Sequence, residues 1–454
     1  MNTIDHFFGV LSSWLWGWPM ITLLLGTHLY LTIRLRFPQR KVLTAIRLSV
    51  SKDDGHGDVS QFGALVTSLA ATIGTGNIIG VATAVTLGGP GAVFWCWLTG
   101  VLGMATKYTE GLLAVKYRVK TANGEMLGGP MYALERGLKM RWLGILFCVF
   151  TALAAFGIGN LVQANSISTL VSETYAVPSW MTGLVIAAIS ALVILFGVKG
   201  IARVCSAFVP FMAIFYILGC LYILYVNSAY LWDTLCLIMS SAFTPHAAGG
   251  GFLGATVMMA ARFGIARGLF SNESGMGSAP IIAAAARTRN PVRQALVSST
   301  STFWDTVVIC ALTGLVLVSS VLAHPDIDHT QGAVLTHAAF AKIPWVGSPI
   351  LIVGLLTFVF STILGWSYYG EKAIEYLGGK RWIRPYRLAW VVAVYVGAVV
   401  NLSFVWNFAD VMNALMAIPN LISVLLLSGV AARETRKYLW NGRLDEYEIT
   451  VGDE

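Results

Sequence analysis

Apolar runs of about twenty residues, separated by short polar stretches, recur along the chain from residue 11 to residue 430. At the helical rise that length matches the hydrocarbon core of a bilayer, so each run predicts a membrane-crossing helix. In order they predict spans over 11–33, 62–87, 92–115, 142–171, 178–197, 204–226, 252–286, 294–322, 349–369, 389–404 and 408–430. Two of these are not smooth. Within 62–87, the stretch Thr72-Ile73-Gly74-Thr75-Gly76-Asn77-Ile78-Ile79-Gly80 places glycines, threonines and an asparagine where every freed backbone group needs a partner. Within 252–286, two short apolar pieces flank a polar, glycine-bearing middle from Arg262 to Gly277. Both patterns predict broken helices.

The polar stretches set orientation. Arg34, Arg36, Arg40, Lys41, Arg47 and Lys52 follow the first span and place that side in the cytoplasm, with the N-terminus outside. Alternating from there, all of the 30 Lys and Arg except Arg262, Arg267 and Lys342 fall on the cytoplasmic side, with Lys107 counted at the inner half of its span. The C-terminal tail is then cytoplasmic. The first span lacks a basic n-region before it and reads as a mature helix rather than a signal peptide. The outer loop after residue 226, with Trp232, Phe243 and Pro245, is expected to hold an interfacial helix. Spans two to six and seven to eleven form two blocks of five, each opening on a broken helix, and an odd number inverts direction. The expected fold class is an all-α polytopic membrane protein with a 5+5 inverted repeat and one extra N-terminal transmembrane helix. The units are 1–58 (extra helix and linker), 59–226 (first repeat), 227–430 (outer loop and second repeat) and 431–454 (tail).

Composition narrows the function. With 56% hydrophobic and 11% charged residues in 454, a soluble globular protein is excluded. The net charge of +8 follows the orientation bias, so no nucleic-acid partner is implied. The six cysteines show neither a CxxC nor a histidine at metal spacing, which leaves no disulfide framework or zinc site. There is no HExxH, GxSxG or Walker motif, and the one GxGxxG, Gly249 to Gly254, follows no strand. An enzyme is therefore disfavoured. A channel is disfavoured because two different breaks meet within one chain.

A break at mid-membrane depth offers unpaired N–H groups to an anion and carbonyls to a cation, which suits a cation-coupled carrier of a small zwitterion. A carboxylate is expected on the N–H groups of Thr75, Gly76 and Asn77, helped by the hydroxyls of Thr72 and Thr75, with Gly74 and Gly76 giving room. Asn77 either binds the ligand or caps the second half-helix. From the second break, Phe270, Ser271 and Asn272 are expected on the far side of the ligand as a lid, a hydroxyl and an amide. Gln163 serves the ligand or glues helices together, while Asn160 and Asn165 point elsewhere on the wheel. Trp366 caps the pocket or anchors at the interface. Glu273 and Arg267 are expected as an ion pair or gate, and Asp305 and Asp410 as local hydrogen-bonding groups, with proton carriage as the alternative use.

Three segments, TSLAATIGTGNIIG (Thr67 to Gly80), GGPGAVFWCWLTGVLGMATKYTE (Gly88 to Glu110) and GLFSNESGMGSAP (Gly268 to Pro280), resemble the alanine or glycine:cation symporter family. That family is a branch of the amino acid–polyamine–organocation superfamily with the leucine-transporter fold. Cys96, between two tryptophans, departs from its pattern. The resemblance implies a secondary active transporter for sodium-driven uptake of a small neutral amino acid such as alanine or glycine. It works by alternating access in the plasma membrane of a prokaryote. Within the same fold the alternatives are proton in place of sodium, or glutamine or serine as substrate. The fold puts its common sodium site between spans two and nine. The carbonyls of Ala70, Ile73 and Phe358 and the hydroxyls of Ser361 and Thr362 are the expected ligands, since 358, 361 and 362 share one helical face. The competing use of those hydroxyls is a bond back to their own helix. The expected partners are the amino acid, the co-transported sodium ion and the lipid bilayer; oligomeric state is left open.

Overall fold

The computed structural model describes residues 3–121, 124–244, 256–327, 332–400 and 403–448. Pro245 and the Gly249 to Gly254 motif lie outside them. The first expected span is two helices, α1 (Thr3–Leu15) and α2 (Trp18–Arg34), parted at Gly17 because Pro19 in the first turn of α2 has no N–H to continue the ladder. After α3 (Val42–Val50), Ser60 starts α4 (Gln61–Thr72) by accepting a bond from the Gly63 N–H at 2.9 Å. α5 (Gly76–Gly88) continues at 56° to α4, so the first break falls at residues 73–75.

α6 (Ala92–Lys116) leads to a two-stranded hairpin, β1 (Val119–Lys120) and β2 (Met126–Leu127). Then come α7 (Arg141–Tyr175), α8 (Ser179–Ile194), α9 (Gly197–Val226) and α10 (Leu231–Phe243). α9 starts seven residues before the expected 204, because Gly197 takes φ +64° and closes a tight turn after α8. Lys199 and Arg203 are thus helical, not in a loop. α10 is the helix expected in the loop after residue 226.

The second half holds α11 (Val257–Asn272), the single turn α12 (Pro280–Ala283), α13 (Pro291–Ala323), α14 (Gly332–Ala341), α15 (Gly347–Gly378), α16 (Ile383–Val399), α17 (Ser403–Leu426) and α18 (Ser428–Thr435). The second break is shorter than expected. Residues 262–272 are helical, the chain is not helical from Glu273 to Ala279, and of the apolar piece expected after it only 280–283 form a helical turn. Among the described residues, α7, α9, α13, α15, α17, the α1–α2 run from His6 to Arg34 and the bent α4–α5 pair have the length and apolarity of a membrane crossing.

α15 runs through the core, and at Gly365 an added Cβ would lie 2.7 Å from the Ala71 backbone nitrogen, so only glycine lets α15 approach α4 this closely. The chain ahead of α4 pairs with the chain after α12: the Asp58 N–H donates to Ala285 O at 2.8 Å and the Arg287 N–H to Val59 O at 2.7 Å. Arg118 adds bonds to the carbonyls of Ala284, Ala286 and His56. The two broken helices are therefore tied together at their basic ends. The tail covers this tie. Asn290 donates to Leu444 O and Glu446 O, Arg293 bridges Asp53 and Asp445, and hydrogen bonds from Tyr447 and Arg289 hold the Asp54 carboxyl below its usual range.

Candidate functional site

α4 stops where Ile73 turns extended (φ −73°, ψ 100°), which leaves the carbonyls of its last turn without helical donors. The Asn77 carboxamide oxygen accepts from the Gly74 N–H at 2.8 Å and caps the gap. α11 stops because Glu273 is left-handed (φ 53°), followed by Gly275 (φ 92°) and Gly277 (φ 84°), a conformation glycine tolerates. One oxygen of Glu110 on α6 accepts from the Gly275 and Gly277 N–H groups (3.0 and 3.1 Å) and from the Asn420 amide (2.6 Å). Asn420 also donates to Gly275 O. The second break is thus supported from α6 and α17.

Between the breaks lies a small cavity of about 20 Å³. The first break contributes Ala71, Thr72, Gly74, Thr75 and Gly76 to its wall, and the second contributes Phe270 and Glu273. α7 adds Ile158 and Gln163, and α15 adds Thr362 and Trp366. A widened turn at Gly157–Leu161 in α7 frees Ile158 O, to which the Gln163 amide donates at 2.9 Å, and leaves the Gln163 oxygen without a partner among the described residues. Trp366 is buried, not at an interface, and its indole N–H donates to Glu273 at 3.2 Å. The other Glu273 oxygen accepts from Ser278 at 2.5 Å. Thr72 lines the cavity with its hydroxyl bonded back to Ser68 O at 3.2 Å.

Three residues expected on the ligand turn elsewhere. The Asn77 amide donates to the Asp305 carboxylate at 2.7 Å, and Ser271 donates to its other oxygen at 3.0 Å. Asn272 accepts from the Ser274 N–H and reaches toward Thr99. The reason is that Ser271 and Asn272 belong to the last turn of α11, so their directions follow the helix rather than the gap. Asp305 is buried in a widened turn of α13, Phe303–Cys310, and also accepts from Thr306 at 2.6 Å. It joins the two breaks instead of serving local bonds only. Glu273 and Arg267 are not an ion pair: Glu273 faces the cavity, while Arg267 lies over the Phe270 ring at 5.9 Å. Sequence reasoning undervalued both acids. Their signal was the cost of a carboxylate inside an apolar run.

The five residues expected around sodium come together. The Ser361 hydroxyl is 3.2 Å from Ala70 O and 2.8 Å from Phe358 O, and the Thr362 hydroxyl is 3.2 Å from Ile73 O and 3.0 Å from Phe358 O. Each hydroxyl bonds back to its own helix, the competing use, and also reaches across to a carbonyl at the end of α4. All five oxygens are neutral and buried, a donor set that suits a small monovalent cation. Gly74 stands between cavity and cluster, with an added Cβ 2.7 Å from the Thr362 hydroxyl. Gly74→Ala is expected to cut amino-acid uptake by reconstituted protein at least about tenfold and to lower its melting in detergent only modestly, as overpacking at one wall costs about 1–3 kcal/mol.

A profile of the sodium:alanine symporter family matches residues 1–450. The sodium/alanine symporter AgcS of Methanococcus maripaludis is 51% identical over 436 residues, covering 94% of this chain and 95% of its own. An uncharacterized transporter of Haemophilus influenzae is 50% identical over 452 residues, covering 98% of both chains. Among solved structures, MhsT in complex with L-phenylalanine aligns with a TM-score of 0.59 at 13% identity, covering 86% of this chain and 95% of that one, which shows a leucine-transporter-like fold. The chain therefore belongs to the sodium:alanine symporter family, whose members are secondary transporters that couple the movement of an amino acid to sodium.

Proposed function

We propose that this symporter takes up a small neutral amino acid, alanine or glycine foremost, together with sodium, by alternating access. The observation that carries the reading is the cavity shared by the two breaks, with the five-oxygen cluster directly behind Gly74. The substrate carboxylate lies on the N–H groups of Thr75 and Gly76, and its ammonium faces Glu273 and the free oxygen of Gln163. Phe270 and Trp366 close the two sides, and Asn77, Ser271 and Asn272 hold the frame. Sodium sits among Ala70, Ile73, Phe358, Ser361 and Thr362. The cavity admits little more than a water as it stands, which favours a small side chain and requires a wall to withdraw during entry.

In this reading eleven spans form the 5+5 repeat plus the extra first helix, with units at 1–58, 59–226, 227–430 and 431–454. The protein resides in the plasma membrane of a prokaryote, N-terminus outside and tail in the cytoplasm. Support comes from the distribution of basic residues and from the name of the Methanococcus relative. The test is radiolabelled L-alanine uptake into proteoliposomes in sodium and in choline, with a panel of unlabelled amino acids as competitors. Saturable uptake in sodium alone, competed by glycine, is expected; equal uptake in choline refutes the sodium reading, and competition by glutamine but not glycine refutes the substrate reading.

A further inference from the structure

α6 carries a buried charge that the site as described does not use. Lys107 is 1% exposed, and its ammonium has no hydrogen-bond partner among the described residues. The sequence counts it in the inner half of its span, and the structure buries it. Its place follows from its neighbours on the same face of α6. At Gly103, one turn before, an added Cβ would lie 2.9 Å from the Ser274 hydroxyl. At Glu110, one turn after, the carboxylate holds the Gly275 and Gly277 N–H groups. Lys107 lies between two contacts to the same short segment, the one that begins at Glu273.

The groups that feel this charge are Glu110 on its own helix, Glu273 in the second break, Asp305 on α13 and His28 on α2. Two buried atoms there are also unpartnered among the described residues: the second oxygen of Glu110 and Nε2 of His28. His28 is fixed by Thr106 through Nδ1 at 2.7 Å, and Nε2 is 3.6 Å from the Cβ position of Gly103. One flexible cation therefore stands between a carboxylate that lines the cavity and a carboxylate with an open oxygen. A buried carboxylate without a counter-charge is costly, and a single cation can satisfy only one of the two at a time.

We propose that Lys107 is an internal counter-cation for Glu273, which the ammonium group of the substrate displaces onto Glu110. With the cavity unliganded, Lys107 neutralises Glu273. When an amino acid enters, its ammonium takes over that role, and the Lys107 charge passes to the open oxygen of Glu110, where it tightens the segment from Glu273 to Gly277. A ligand without a cationic amino group leaves Lys107 on Glu273 and the segment slack. Lys107 is thus a positioning residue that senses the amino group. This deepens the proposed function and rests on its reading of Glu273 as the ammonium partner.

The test is the pair Lys107→Met and Glu110→Gln, assayed for KM and Vmax of radiolabelled L-alanine uptake in sodium. Removing the competitor in Lys107→Met is expected to lower KM about tenfold, within the usual range of coupled sites, and to lower Vmax because nothing restores Glu273 on release. Glu110→Gln keeps an oxygen for Gly275, Gly277 and Asn420 but offers Lys107 no charge, so KM is expected to rise about tenfold. Lys107→Arg is expected to restore a wild-type KM. Shifts of both variants in the same direction, or an unchanged KM in Lys107→Met, overturn the proposal, and a merely structural lysine gives those results. Wild-type uptake judges the substrate reading separately: if another amino acid is carried, the same pair of shifts is measured with it.

Discussion

Replacing Ser361 and Thr362 together by alanine is expected to raise the sodium concentration for half-maximal alanine uptake by about a hundredfold. The two hydroxyls are the side-chain oxygens that join the end of α4 to α15, each reaching a carbonyl of α4 and the Phe358 carbonyl. A hydrogen-bond-like contact to a charged group contributes about 1.5–3 kcal/mol, and two of them amount to about a factor of a hundred or more. Thr357→Ala is the control. That hydroxyl lies one turn earlier on α15 and bonds only back to Val353 O and Gly354 O, so sodium dependence is expected to stay at wild type. Undiminished sodium dependence in the double variant would falsify the placement of the ion between α4 and α15.

Asp305→Ala is expected to abolish transport and to destabilise the protein by about 3 kcal/mol or more. The loss takes the carboxylate from the Asn77 amide, the Ser271 hydroxyl and the Thr306 hydroxyl. Asn77 keeps the main-chain carbonyl of residue 305 and, like Ser271, the weak acceptor Cys310 Sγ, while Thr306 loses its acceptor; each weakened or lost buried bond costs about 1–3 kcal/mol. Asp305→Asn keeps the volume and one accepting oxygen, so its melting in detergent is expected between wild type and alanine. Its uptake rate is expected to fall more than about tenfold, because Asn77 and Ser271 then compete for one acceptor. An alanine variant that melts and transports like wild type removes Asp305 as the joint between the breaks.

The reach of sequence reasoning follows physical range. The existence of the first break was legible, because its glycines and Asn77 act on their own backbone, although the break itself is only residues 73–75 of the stretch expected to hold it. That Ala70, Ile73, Phe358, Ser361 and Thr362 meet was legible because offsets of three and four on α15 fix a face, and the resemblance supplied the other helix. The second break was placed too broadly, since α11 persists through Arg262 to Asn272 despite two glycines. Its end is set by Glu110 and Asn420, which are distant in sequence and bind only its backbone. Ser271 and Asn77 were assigned to the ligand for the same reason: their acceptor, Asp305, comes from another helix. The core position of Lys107 was hidden because an inner-half lysine and a buried one read alike in a hydropathy pattern.

The pairing between residues 56–59 and 285–288 has a mechanical consequence. Two isolated bridges of opposite sense, closed by backbone hydrogen bonds, stitch the root of α4 to the chain that leaves α12. Pulling the two roots apart breaks these bonds together, so a load on one root is felt at the other.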